Sequence, residues 1–123
     1  MHTLPTESQY PTYDTLDYWP AYCKFMLMGS EKGPIPPNIK IFNKVGDAYG
    51  FLLDISYIID SVHKVEFMLS GVLYCNKDGI LNDSKYDYDT VGFPFYKNIG
   101  QLIYDYELKR EKKYLPNFDT ILP

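Results

Sequence analysis

Apolar and polar residues change places along this chain in ways that predict a small set of elements. Ile39, Ile41 and Asn43 alternate with Lys40, Phe42 and Lys44, which predicts a strand over 39–45. Gly46 to Gly50 reads as a turn holding two glycines. Phe51 to Ile59, rich in Leu, Ile, Tyr and Phe, predicts a second strand. After the polar turn Asp60-Ser61-Val62-His63-Lys64, the run Val65 to Cys75 predicts a third. Its nearly continuous apolar character points to burial on both faces. Turns this short imply hairpins, hence an antiparallel meander.

Helical spacing flanks the strands. Trp19, Tyr22, Cys23 and Met26 share one face of a helix expected from about Leu16 or Tyr18 to Met28. Asp14 or Asp17 would cap it, Pro20 would sit in its first turn, and Gly29 would stop it. Gly33 to Asn38 is a stiff proline-rich loop, and Asn76 to Gly92 a polar, acidic one. Pro94 then opens a long helix whose apolar face is Phe95, Ile99, Leu102, Ile103 and Tyr106. Lys109, Arg110, Lys112 and Lys113 gather at its C-terminal end, where the helix dipole favours cations. The first 14 and last ten residues read as extended. The expected fold class is α+β, a three-stranded antiparallel meander with a leading helix and a long C-terminal helix packed on the sheet. A lead-in covers 1–34, the sheet-and-helix unit 35–112, and a tail 113–123.

At 123 residues the chain fits one domain with a working core. Its 13 tyrosines, which pack a ring while keeping a hydroxyl wet, suit half-exposed surfaces and interfaces. A net charge of −4 leaves no basic footprint and argues against nucleic acid. No apolar run approaches a membrane span, and Met1 to Ser8 lacks the cationic start and apolar core of a signal peptide. Cys23 and Cys75 in apolar settings read as small buried hydrophobes rather than a disulfide.

Chemistry concentrates at Asn43-Lys44-Val45-Gly46-Asp47-Ala48-Tyr49-Gly50. A lysine at a strand end, followed at once by a small residue and a glycine, sets a cation beside bare backbone, which suits an anionic group near a reacting carbonyl. Other letter patterns carry less. Ser61-Val62-His63-Lys64 spells Ser-x-x-Lys, but that chemistry needs the serine at a helix N-terminus with the lysine one turn on, and these residues form a turn between strands. Tyr74-Cys75-Asn76 imitates a Tyr-x-Asn motif at a strand end. His2 and His63 are far apart, and no carboxylate is evident to orient His63 for a catalytic triad. Two His and two Cys at positions 2, 23, 63 and 75 do not make a zinc site. Asn76, Asp78, Asn82, Asp83, Asp87 and Asp89 lack calcium-loop spacing and read as a solvated loop. Neither metal nor cofactor is expected.

Lys44-Val45-Gly46 resembles the Lys-Thr-Gly element of β-lactamases and penicillin-binding proteins. The order that follows, strand, strand, C-terminal helix, resembles the last part of that fold. The segments Asn43 to Gly50, Val65-Glu66-Phe67-Met68-Leu69-Ser70 and Phe93-Pro94-Phe95 resemble a subgroup of β-lactamase-like serine hydrolases from Bacteroidetes, over roughly residues 35–112. The resemblance implies that Lys44 helps place a substrate carboxylate. It implies that Gly46 lets substrate lie against the strand, and that the Asp47 amide belongs to an oxyanion hole. Val45 stands where the family has Thr or Ser, removing a hydroxyl from the substrate-binding set Lys44, Val45 and Gly46. The chain is then the C-terminal portion of such an enzyme, without its Ser-x-x-Lys nucleophile and inactive alone, from a periplasmic or extracytoplasmic parent. Its partner would be the N-terminal half of the domain, or a second copy through strand 65–75. The alternative class is a small non-enzymatic binding module with a tyrosine-rich contact surface.

Overall fold

Three ten-residue strands, β1 (Ile39–Ala48), β2 (Phe51–Asp60) and β3 (Val65–Tyr74), form one antiparallel sheet in the order β1-β2-β3 in a computed structural model that describes residues 3–122. The meander and its helix make the fold α+β. Pairing is continuous, from Ile39 opposite Asp60 to Ala48 opposite Phe51, and from Phe51 opposite Tyr74 to Asp60 opposite Val65. The turn expected over 46–50 shrinks to Tyr49-Gly50. Both have positive φ, 53° and 90°, the mirror-image geometry whose twist matches a two-residue hairpin. β1 therefore runs three residues past the expected end at 45, and the Lys44-Val45-Gly46 segment lies inside a strand.

Helix α2 (Phe93–Lys109) covers one face of the sheet, entered through a wide π turn at Tyr88–Gly92. Its buried residues are Tyr96, Gly100 and Glu107, whereas Phe95, Leu102 and Tyr106 are exposed. The inward stripe is rotated from the expected one because polar tips set it. Tyr96 donates its hydroxyl to the Leu52 carbonyl at 2.8 Å, and Tyr104 donates to the Asp60 carboxylate at 2.5 Å. Apolar spacing cannot see such anchors. The helix ends at Lys109. Lys109 stands in the last turn, Arg110 folds back on Glu107 at 2.8 Å within that helix end, and Lys112 instead makes a tertiary contact, bonding the Lys64 carbonyl at 2.8 Å. The tail is not wholly extended: Phe118 is buried and a turn closes from its carbonyl to Ile121.

The leading helix expected from Leu16 or Tyr18 to Met28 is absent. Its place is taken by turns and a four-residue piece, α1 (Phe25–Met28). Even α1 is helical only in its hydrogen bonds, because Met26 has ψ 123° and Leu27 has φ 78°. The sheet competes for the helix's backbone groups. Asp54 accepts the Met26 N–H at 3.0 Å, and Asn43 donates to the Cys23 carbonyl at 2.7 Å. Those bonds arch the chain over the sheet, with Cys23 at φ 58°. α2 presses on the arch at Gly100, where a Cβ would lie 2.5 Å from the Leu27 nitrogen, so no side chain fits there.

The covered face carries Leu52, Asp54, Ser56, Ile58 and Asp60 from β2, all fully buried. The other face carries Phe42 and Lys44 from β1, Leu53, Ile55 and Tyr57 from β2, and Met68, Ser70 and Val72 from β3. β3 thus alternates between half-covered and exposed residues, which corrects the expectation of burial on both faces. No described element lies over its second side.

Candidate functional site

The candidate site is the outer edge of β1. Lys24 reaches from the arch to donate its ammonium to the Ile41 carbonyl at 2.9 Å, so Ile41 directs its backbone groups away from β2. Alternation then turns Asn43, Val45 and Asp47 outward as well. Lys44 donates to the Val45 carbonyl at 2.7 Å, as that parity requires. The Asp47 N–H points off the edge, with no hydrogen-bond partner among the described residues.

Side chains alternate the other way. Lys44 and Gly46 lie on the open face, and Val45 and Asp47 on the face toward α2. Lys44 is exposed, opposite Ile55. A Cβ at Gly46 would meet only Leu53, at 3.8 Å, so this glycine leaves space above the strand rather than relieving a clash. A groove of about 470 Å³ runs between the lead-in and this edge. Asn43, Lys44 and Val45 form one wall, and Tyr13, Tyr18 and Tyr22 belong to the other. That volume falls within the range of small-molecule sites.

A buried polar network fixes the floor. Asp54 accepts from Ser56 at 2.8 Å and Asn43 at 3.1 Å, and Asn43 in turn accepts from Lys24 at 2.8 Å. Burial pushes the Lys24 ammonium below its ordinary pKa, and the charge of Asp54 opposes that shift. Burial raises the Cys23 thiol, and both Cys23 and Cys75 are free thiols.

The letter motifs resolve separately. Ser61 sits in the β2–β3 turn and its hydroxyl meets the Asn38 carbonyl at 3.3 Å, while Lys64 lies over the Phe118 ring. The structure gives this pair no shared task. Tyr74-Cys75-Asn76 ends β3, with Cys75 bonded through its N–H to Gly50 and the Asn76 side chain to Ile80. In the acidic loop, Asp78 and Asp83 close turns by accepting the amides of Ile80 and Lys85, and Asp87 ties the loop back by accepting the Lys77 amide. No group of His, Cys, Asp and Glu among the described residues is arranged to hold a metal. His2 lies outside the described residues.

One constellation escaped the sequence reading. Asp60 does orient His63: its carboxylate lies 2.7 Å from His63 Nδ1 and accepts the backbone amides of Val62 and His63. Burial disfavours the Asp60 charge, yet hydrogen bonds from Tyr104, Asn38 and His63 outweigh it and hold the carboxyl far below the usual range. The signal was Asp-x-x-His across a tight turn, a spacing in which an Asp side chain naturally caps the following amides.

Comparison with known proteins adds no relative: no family model matches the chain, and neither a curated protein nor a solved structure does.

Proposed function

We propose that this chain is the C-terminal, sheet-and-helix portion of a β-lactamase-like serine hydrolase, contributing one wall of an acyl-transfer site and inactive without the part that bears the nucleophile. The carrying observation is the edge of β1. A solvent-facing lysine, open backbone at Gly46 and an outward, unpartnered amide at Asp47 lie together there in Lys-x-Gly order. In such a site the Lys44 ammonium attracts the substrate carboxylate. The Asp47 N–H stabilises charge developing on the carbonyl oxygen, a contribution typically of about 3 kcal/mol per donor. Val45 offers no hydroxyl, so the carboxylate loses a hydrogen bond worth about 1–3 kcal/mol, which favours substrates other than penicillins. By the same resemblance the complete protein works outside the cytoplasm.

The purified chain should neither hydrolyse a chromogenic cephalosporin nor take a fluorescent penicillin label. In a protein joining this segment to a helix-borne Ser-x-x-Lys, Lys44→Ala should lower kcat/KM by about 10- to 150-fold, the cost of a charged hydrogen bond. Unchanged kcat/KM would remove Lys44 from the site, and covalent labelling of the isolated chain at Ser61 would overturn the reading.

A second reading, a non-enzymatic binding module, is favoured by the apolar open face, where Met68 is 76% and Val72 63% exposed beside Ile55, Phe51 and Tyr74. A tight partner for the isolated chain, lost on mutating this face and indifferent to Lys44, would support it over the hydrolase reading.

A further inference from the structure

The outer edge of β3 is bare, and its parity can be read from the structure. Because Ile41 pairs with Ile58 while turning its carbonyl outward, the even-numbered residues of β2 bond toward β3. Their partners on β3 are odd-numbered, and the Cys75 N–H bonded to Gly50 at 2.6 Å continues that parity. Glu66, Met68, Ser70, Val72 and Tyr74 therefore point their N–H and C=O groups off the edge. None of these groups has a hydrogen-bond partner among the described residues. The devices that protect an edge are missing too: β3 has no proline, no lysine and no bulge, and its one charge is Glu66.

We propose that this edge is a dimerisation surface whose occupant is the β3 strand of a second copy, running antiparallel about a two-fold axis at Ser70. That register is self-complementary. Ser70 faces Ser70, Met68 faces Val72, and Glu66 faces the Tyr74 hydroxyl, while Phe67 faces Leu73 on the covered side. All the outward groups pair, giving about ten hydrogen bonds between the copies, since each such pair in an antiparallel ladder exchanges two. A shift of two residues in either direction leaves some of them unpaired.

The arrangement also closes. The outer strands of the resulting six-stranded sheet are the two copies of β1, whose outward carbonyls at Ile41 and Val45 are taken by Lys24 and Lys44. Assembly stops at the dimer, as an isologous contact requires. The inference concerns the chain as it stands and does not depend on the hydrolase reading.

Charge patterning tests the register. In the Ser70-centred dimer, residue 68 of one copy meets residue 72 of the other. The like-charged variant M68K/V72K should self-associate at least tenfold more weakly than the opposite-charged M68K/V72E in sedimentation velocity over a wide concentration series. Ser70→Pro removes an N–H that the intramolecular ladder does not use, and proline is tolerated on an edge. It should give a folded monomer. In the unmutated chain the amides of Glu66, Met68, Ser70, Val72 and Tyr74 should gain hydrogen-exchange protection as concentration rises. A monomer at every concentration, open-ended assembly, or equal association of the two charge variants would each overturn the proposal.

Discussion

The two faces of the sheet invert the usual arrangement. The face sealed by α2 carries a row of buried polar groups down β2, Asp54, Ser56 and Asp60, among Leu52 and Ile58. The face over which no described element lies carries Ile55, Tyr57, Met68 and Val72. On the covered side, polar groups are fully satisfied and tie the arch, α2 and the β2–β3 turn to one strand. On the open side, apolar groups contribute little to this chain's own stability. The lesson is that the sheet is held together from one side and is dressed for contact on the other.

The largest expected effect would break the covered side. Asp54→Ala removes acceptors for Met26, Asn43 and Ser56 and leaves the buried Lys24 without its compensating charge. It should cost about 3–5 kcal/mol in urea unfolding, the range for breaking a buried charge network. Next comes a matched pair across one strand. Ile58→Ala, on the covered face, should cost about 2–5 kcal/mol. Ile55→Ala, 53% exposed on the other face, should cost under about 1 kcal/mol. Equal losses would mean that the open face is covered after all.

Acid sharpens the same comparison. The folded pKa of Asp60 is depressed, so its contribution to stability is complete above the unfolded carboxylate range near pH 4. It is lost progressively as pH falls toward the folded value. Unfolding midpoints should drop as pH is lowered through that window, and Asp60→Asn should flatten the dependence while lowering stability at neutral pH. The smallest effect belongs to the open side. Lys44→Ala should change stability by less than about 0.5 kcal/mol, as befits a solvent-facing lysine that bonds its neighbour's carbonyl.

The sheet was legible in the sequence because alternation and turn residues are local signals. β2 and β3 fell within a residue of their true ends, and the C-terminal helix was placed by Pro94 and apolar spacing. The leading helix was not legible, because Trp19, Tyr22, Cys23 and Met26 carry helical spacing while the groups that undo the helix, Asn43 and Asp54, lie on other strands. The rotation of α2 was hidden for the same reason, its stripe being set by Leu52 and Asp60. Of the site, Lys44, Gly46 and Asp47 could be named from sequence. That the Asp47 amide would leave the ladder depended on the hairpin closing at Tyr49-Gly50, with β1 running three residues past its expected end. The Asp60–His63 pair needed the turn geometry itself.

Trp19 has an optical consequence. It is the single tryptophan of the chain, edge-on to Tyr22, with the Lys32 ammonium 5.1 Å from its ring centre and its indole nitrogen buried with no hydrogen-bond partner among the described residues. It sits on the lead-in, whose backbone carries few of the fold's hydrogen bonds, whereas tyrosines are spread over sheet and helix. Intrinsic fluorescence therefore watches one strap of the molecule, and far-ultraviolet dichroism watches the rest. If the lead-in lifts off β1 before the sheet melts, tryptophan emission will red-shift first, and the interval between the two transitions will read out how firmly the groove beside Lys44 is closed.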